Sequence, residues 1–190
     1  ENNRPEIDCA PYLDEIKVVA RGTVLDLEQV LTRIRIPTIL ENIKPGEKVL
    51  IYTHYVDGIV DQLRDAIQGA GHRVGLFTGS EDDTALMGFL GKKKHPETGM
   101  PCPPVDVLVA SSRVSTGVDG LQHVCQKLII NCLPWTNAEY EQLRGRIWRQ
   151  AQAHDEVGES AAANRQSRDP KDPGGGLGAG LGRRSVGRRH

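Results

Sequence analysis

VDVLVASS, residues 105–112, is the stretch whose reading decides the fold. Val105, Val107, Leu108, Val109 and Ala110 form a short, nearly continuous apolar run that ends in two serines. A strand with one wet face alternates apolar and polar residues, whereas a run apolar on both sides belongs to a strand covered on both faces. Two further segments read the same way: KVLIYTHY, Lys48 to Tyr55, and KLIINCLP, Lys127 to Pro134. HRVGLFTGS, His72 to Ser80, reads as a fourth strand ending in a glycine turn.

Between these runs the apolar period changes from two to about 3.6. Ile59, Val60, Leu63 and Ile67 mark a helix over Asp57–Ala70 closed by Gly71, and Asp82 to Leu90 a shorter one. Upstream, Leu25, Val30, Leu31, Ile34 and Ile39 give a helical pattern from Leu13 to Ile43, which Gly22 and Pro37 are expected to break. Strand, helix, strand, helix with doubly apolar strands argues for a three-layer α/β domain around a mainly parallel sheet. Gly91 to Pro104 reads as an insertion-like loop with a cluster of lysines. From Gly158 the chain turns to Gly, Ala and Arg without apolar periodicity, and residues 158–190 are expected to be a disordered tail.

In a parallel sheet, ligand groups come from loops at the carboxyl ends of the strands. Three loops answer that description: THYVD after the first strand, SSRVSTGVD after VDVLVA, and PWTN, which leads into a last helix. Thr136 and Glu139 stand at capping-box spacing at that helix's start. At about 100° per residue, Gln142, Arg146 and Arg149 share one stripe, while Tyr140, Leu143 and Ile147 fall on another. The apolar stripe would seat the helix and the other would carry guanidinium forks suited to phosphate oxygens. Taken alone, such a stripe reads as a solvated helix face, and it is the convergence of the three loops on one sheet edge that argues against that reading. In the middle loop, Ser111 and Ser112 could donate to a nucleic-acid backbone, Gly117 permits close approach, and Asp119 could accept from ribose hydroxyls.

Composition narrows the remaining possibilities. At 190 residues and a net charge of −1, the chain offers no whole-molecule charge argument for nucleic acid or membrane. No apolar run reaches the length of a transmembrane helix, so a soluble, intracellular protein (cytoplasm, nucleus or nucleoid) is expected. The four cysteines make no C-x-x-C pair and the histidines are scattered, so no metal site is expected and the thiols read as free. No G-x-x-x-x-G-K-[ST] phosphate loop occurs, and Glu81-Asp82-Asp83 reads as a solvated helix start rather than a magnesium-holding pair.

These motifs, in this order, resemble the second RecA-like lobe of superfamily 2 helicases and translocases, with the nearest similarity to Swi/Snf-type DNA-dependent ATPases. KVLIYTHY looks like the motif IV strand. Ser111 to Asp119 is similar to motif V, T-x-x-x-x-x-G-x-D, with serine in the first place. QLRGRIWRQAQ, Gln142 to Gln152, resembles motif VI, Q-x-x-G-R-x-x-R-x-G-Q, with Ala151 at the glycine. The resemblance implies a P-loop NTPase-type lobe over residues 48–157, preceded by a helical inter-lobe connector over 1–47. It implies that Arg149 is an arginine finger on ATP, with Arg146 in support and Gln142, Gly117 and Asp119 at the nucleotide. Ser111, Ser112, Thr53 and His54 would touch the nucleic-acid backbone, DNA or RNA. ATP and Mg2+ would be bound only together with an N-terminal RecA-like lobe, which carries the phosphate loop, so the chain alone is expected to lack ATPase activity. A standalone binding lobe and an unrelated nucleotide-binding α/β enzyme are the alternatives.

Overall fold

A computed structural model describes residues 9–79, 83–115, 118–147 and 158–161, with the main chain alone for 146 and 158–161. The elements follow in the order α1 (Leu13–Val19), α2 (Val24–Glu41), β1 (Val49–Tyr52), α3 (Ile59–Gly69), β2 (Val74–Phe77) and α4 (Thr84–Phe89). Then come β3 (Val107–Ala110), a 3-10 turn (Ser112–Ser115), α5 (Leu121–Val124), β4 (Lys127–Ile130), α6 (Asn137–Ile147) and β5 (Gly158–Ala161). The strands form one all-parallel sheet in the order β2-β3-β1-β4-β5.

The strand period of two explains why the central strands are apolar throughout. Leu50, Tyr52, Leu108, Ala110, Leu128 and Ile130 point to one face, where they meet Leu86 and Phe89 of α4, Leu121 of α5, and Leu143 and Ile147 of α6. Val49, Ile51, Val107, Val109 and Ile129 point to the other, against Ile39 of α2 and Ile59, Val60, Leu63 and Ile67 of α3. Burying each such side chain contributes about 1.5–3 kcal/mol, so both layers hold the sheet and the three-layer α/β expectation holds.

Four details depart from the expectations. Gly22 does end the first helix, but α2 runs unbroken through Pro37. The proline forfeits one backbone bond, and burial of Ile34 and Ile39 on either side keeps the helix in place. Packing also begins before Lys48: Ile39 and Ile43 belong to the core cluster of α3 and the sheet. The loop expected as an insertion is closed on itself by a bridge between Lys94 and Pro101, with Cys102 N donating to Lys93 O at 2.9 Å. Finally, Gly158–Ala161, expected within a disordered tail, pairs in parallel with Lys127–Ile130. The free edge of β4 offers unpaired backbone donors and acceptors, which a segment of any composition can satisfy. Residues 162–190 lie outside the described residues.

Candidate functional site

Because β1, β3 and β4 are parallel neighbours with β1 in the middle, their carboxyl ends open side by side on one sheet edge. The three loops singled out from the sequence are thus brought together. The 3-10 turn and α5, which follow β3, pack against α6, which follows β4. The segment like motif V and the helix like motif VI therefore form one packed unit at that edge.

The helix starts as its sequence dictates. Glu139 N donates to Thr136 Oγ1 at 3.2 Å, and Thr136 N donates to the Glu139 carboxylate at 3.4 Å, closing the capping box. Leu143 and Ile147 are fully buried and Tyr140 packs partly against the same core, while Gln142 is exposed. The two-stripe reading of this helix holds where it can be seen. The main chain of Arg146 lies on α6; its side chain, and Arg149 and Gly117 altogether, lie outside the described residues.

The other expected site residues sort by exposure. Ser112 and Asp119 are exposed on the β3 loop. Ser111 is only 5% exposed; its main chain donates to Phe77 O and accepts from Val114 N, so it builds the turn. Thr53 is fully buried, and its hydroxyl donates to the Tyr55 carbonyl at 2.9 Å. That hydroxyl is committed inside the turn after β1, which corrects the expectation of a backbone contact. His54 is half-buried between Tyr55 and Trp135, with ring centroids 5.1 and 5.8 Å away. Trp135 itself is 70% exposed beside the exposed Leu133, an aromatic surface at the same edge that the sequence reading had not singled out. Of the acidic run, Asp83 is paired with Arg113 at 2.6 Å, and that guanidinium also covers the Phe77 ring at 4.5 Å. Asp83 is thus a tie between α4 and the β3 loop rather than a merely solvated helix start; Glu81 and Asp82 lie outside the described residues.

A buried polar network under the α6 loop was also missed. Arg35 of α2, 5% exposed, donates from Nη1 to Glu28 Oε2 and to the main-chain oxygen of Asn131, both at 2.8 Å. Asn131, fully buried, donates from Nδ2 to Thr32 Oγ1 at 2.9 Å, and Cys132 Sγ approaches Glu28 Oε2 at 3.1 Å. Burial pushes the Cys132 thiol up to about 12, so it stays protonated. The sequence signal was the spacing of Glu28, Thr32 and Arg35, which share one stripe of a helix at i, i+4 and i+7. Among the described residues no group of three or more His, Cys, Asp or Glu side chains is placed to hold a metal ion, and no helix is long and apolar enough to cross a membrane.

Residues 28–151 match the family described as the helicase conserved C-terminal domain. Among solved structures, the chain is similar to the C-terminal part of the Fun30 ATPase domain, with 16% identity, a TM-score of 0.50, and 78% of this chain and 49% of that one covered. It is also similar to a DEAD box protein from the hyperthermophile Methanococcus jannaschii, with 17% identity, a TM-score of 0.51, and 67% and 31% covered. The chain thus spans about half or less of the length of these two structures. No curated protein matches it.

Proposed function

The chain belongs to the helicase conserved C-terminal domain family, and from that premise we propose that it is the C-terminal motor lobe of an ATP-dependent DNA helicase or translocase. One observation carries the reading: the β3 loop and α6 are packed into one unit on the sheet edge where parallel α/β domains place ligand groups. That unit offers exposed Gln142, Asp119 and Ser112 toward solvent, with Arg146 on the same helix stripe as Gln142.

The residues fit one side of a bound ATP and not the whole of it. The sequence holds no phosphate loop to cradle a triphosphate, so a first lobe would bind ATP and Mg2+ and supply the magnesium chemistry. This lobe would contribute Arg149 and Arg146 toward the phosphate oxygens, with Gln142 and Asp119 positioned at the nucleotide. A guanidinium cannot lose its proton in this range, and its fork holds two oxygens at once, so it neutralises charge wherever the phosphate oxygens gather it. Ser112 and His54, with the exposed ring of Trp135, would lie along the nucleic-acid strand. The choice of DNA rests on the resemblance of Gln142–Gln152 to the Swi/Snf form of motif VI.

The test compares the chain alone with the chain joined to its ATP-binding lobe. ATP turnover is expected only in the joined form, stimulated by DNA, and reduced about 10³-fold or more in Arg149→Ala, the range of a lost arginine finger. Robust turnover by the chain alone, or a joined Arg149→Ala variant as active as the parent, would overturn the proposal. Preference for RNA over DNA as the stimulating strand would overturn the finer assignment.

A further inference from the structure

Asn131 is restrained through its main-chain N–H, its main-chain carbonyl and its side-chain amide nitrogen. Its N–H donates to Tyr52 O at 2.8 Å, continuing the ladder of β4 on β1 past its last paired residue. Its carbonyl accepts from Arg35, and its side-chain amide donates to Thr32. The next residue, Cys132, is buried and faces Glu28. Beyond that point the chain loses its apolar anchors: Leu133 and Trp135 are 47% and 70% exposed before the capping box at Thr136 starts α6. A short exposed connection takes its direction from its ends. One end is the α6 cap; the other is Asn131, held from below by α2.

We infer that Arg35, with Glu28 and Thr32 on the same stripe of α2, is a positioning residue that sets the direction in which the β4–α6 loop leaves the sheet and hence the placement of the arginine helix. A buried guanidinium–carboxylate pair is a poor device for stability, since apolar residues of like volume commonly do as well. What it does that apolar packing cannot is hold one particular carbonyl, because the guanidinium fork donates along fixed directions. Here one Nη1 serves both the Glu28 carboxylate and the Asn131 carbonyl. The carboxylate fixes the guanidinium, and the guanidinium fixes the loop.

The positioning does not depend on what α6 does; only its consequence for catalysis rests on the motor-lobe proposal, and the experiment separates the two. The chain has two tryptophans, Trp135 in the loop and Trp148. With 5-fluorotryptophan in the 190-residue chain, and the lines assigned through Trp148→Phe, the Trp135 resonance reports the loop. Arg35→Met and Thr32→Val are expected to shift or split that line while the chain still unfolds cooperatively. Ile67→Val, a core trim in α3 well away from the loop in sequence, is expected to lower the melting temperature and leave the line where it was. Should Arg35→Met fail to fold, Thr32→Val decides. An unmoved Trp135 line in folded Arg35→Met or Thr32→Val, or an equal movement in Ile67→Val, overturns the inference. In the form joined to the ATP-binding lobe, Arg35→Met is expected to lower kcat about ten- to a hundredfold with KM for ATP little changed, as expected for a displaced catalytic group. A moved line with unchanged kcat would instead sink the reading of α6 as catalytic and leave the positioning intact.

Discussion

Two neighbouring residues of α6 should respond in opposite ways, and the contrast tests how the helix is seated. Leu143 is fully buried among Val114, Leu121 and Ile147, whereas Gln142, one residue before it, is exposed. Leu143→Ala removes a core side chain and leaves a cavity, at a cost in the range of about 2–5 kcal/mol. For a leucine buried as fully as this one, a cost of about 3 kcal/mol is expected. In a domain of this size that corresponds to a fall in melting temperature of roughly 6–12 °C. Gln142→Ala opens no cavity and should stay within about 0.5 kcal/mol, yet it should lower ATP turnover in the form joined to the ATP-binding lobe. Urea unfolding followed by far-ultraviolet circular dichroism measures both stabilities under one condition. If the two variants unfold within about 1 kcal/mol of each other, α6 is not seated through Leu143, and the assignment of its outward stripe falls with it.

Three further outcomes follow from single contacts. Gly88→Ala would place a Cβ 2.0 Å from the carbonyl oxygen of Pro103, a backbone atom that has no side-chain freedom to yield; despite alanine's better helix propensity, the variant should lose about 2 kcal/mol or more, and a gain in stability in thermal unfolding would refute the contact. Thr136→Ala removes the acceptor for Glu139 N at the start of α6 and should cost about 1 kcal/mol; Thr136→Ser should restore most of it, and an unchanged urea midpoint in the alanine variant would count against the cap. The Arg73 guanidinium, hydrogen-bonded to Asp106, holds that carboxyl below its ordinary value against the opposing effect of burial. A lowered native pKa stabilises the fold above the unfolded value of about 3.9 and ceases to do so as pH falls through the native one. The stability gap between the parent and Asp106→Asn should therefore be constant from pH 7 to 5 and close toward pH 3, and a gap that widens in acid would show the sign to be wrong.

The sheet was legible because its central strands are apolar on both faces, and Val105–Ser112 can satisfy that pattern in few other ways. The seating of α6 was legible for a related reason: Leu143 and Ile147 diverge from Gln142 on any helical wheel, and no tertiary contact is needed to see it. Thr53 was misplaced because a hydroxyl after a strand suits a ligand and a tight turn equally, and only the Tyr55 carbonyl decides between them. Pro37 misled because propensity speaks for an isolated helix, whereas α2 is held by the side chains it buries on both sides of the proline. The edge pairing of Gly158–Ala161 left no trace because main-chain atoms make it and no side-chain pattern records it. Arg35 was the most consequential miss. A charged residue on a helix reads as solvated until its partner, 96 residues away, is known.

That miss bears on why the lobe is built as it is. If the lobe donates arginines to a ligand held elsewhere, as proposed, it must aim them before the ligand arrives, since any freedom left in the helix must be given up on closure and opposes it. Apolar contacts alone aim a helix loosely, because Leu143 and Ile147 would keep most of their burial through a small slide along the sheet. The capping box fixes where α6 begins, but it moves with the loop. The restraints on Asn131 refer that loop to the register of β4 on β1 and to the long helix α2 beneath the opposite face of the sheet, and the ring contact of Trp135 with His54 ties its exposed part to the turn after β1. The aim of α6 is therefore set from the far layer of the domain, which is why a substitution in α2 should reach a site that none of its side chains touches.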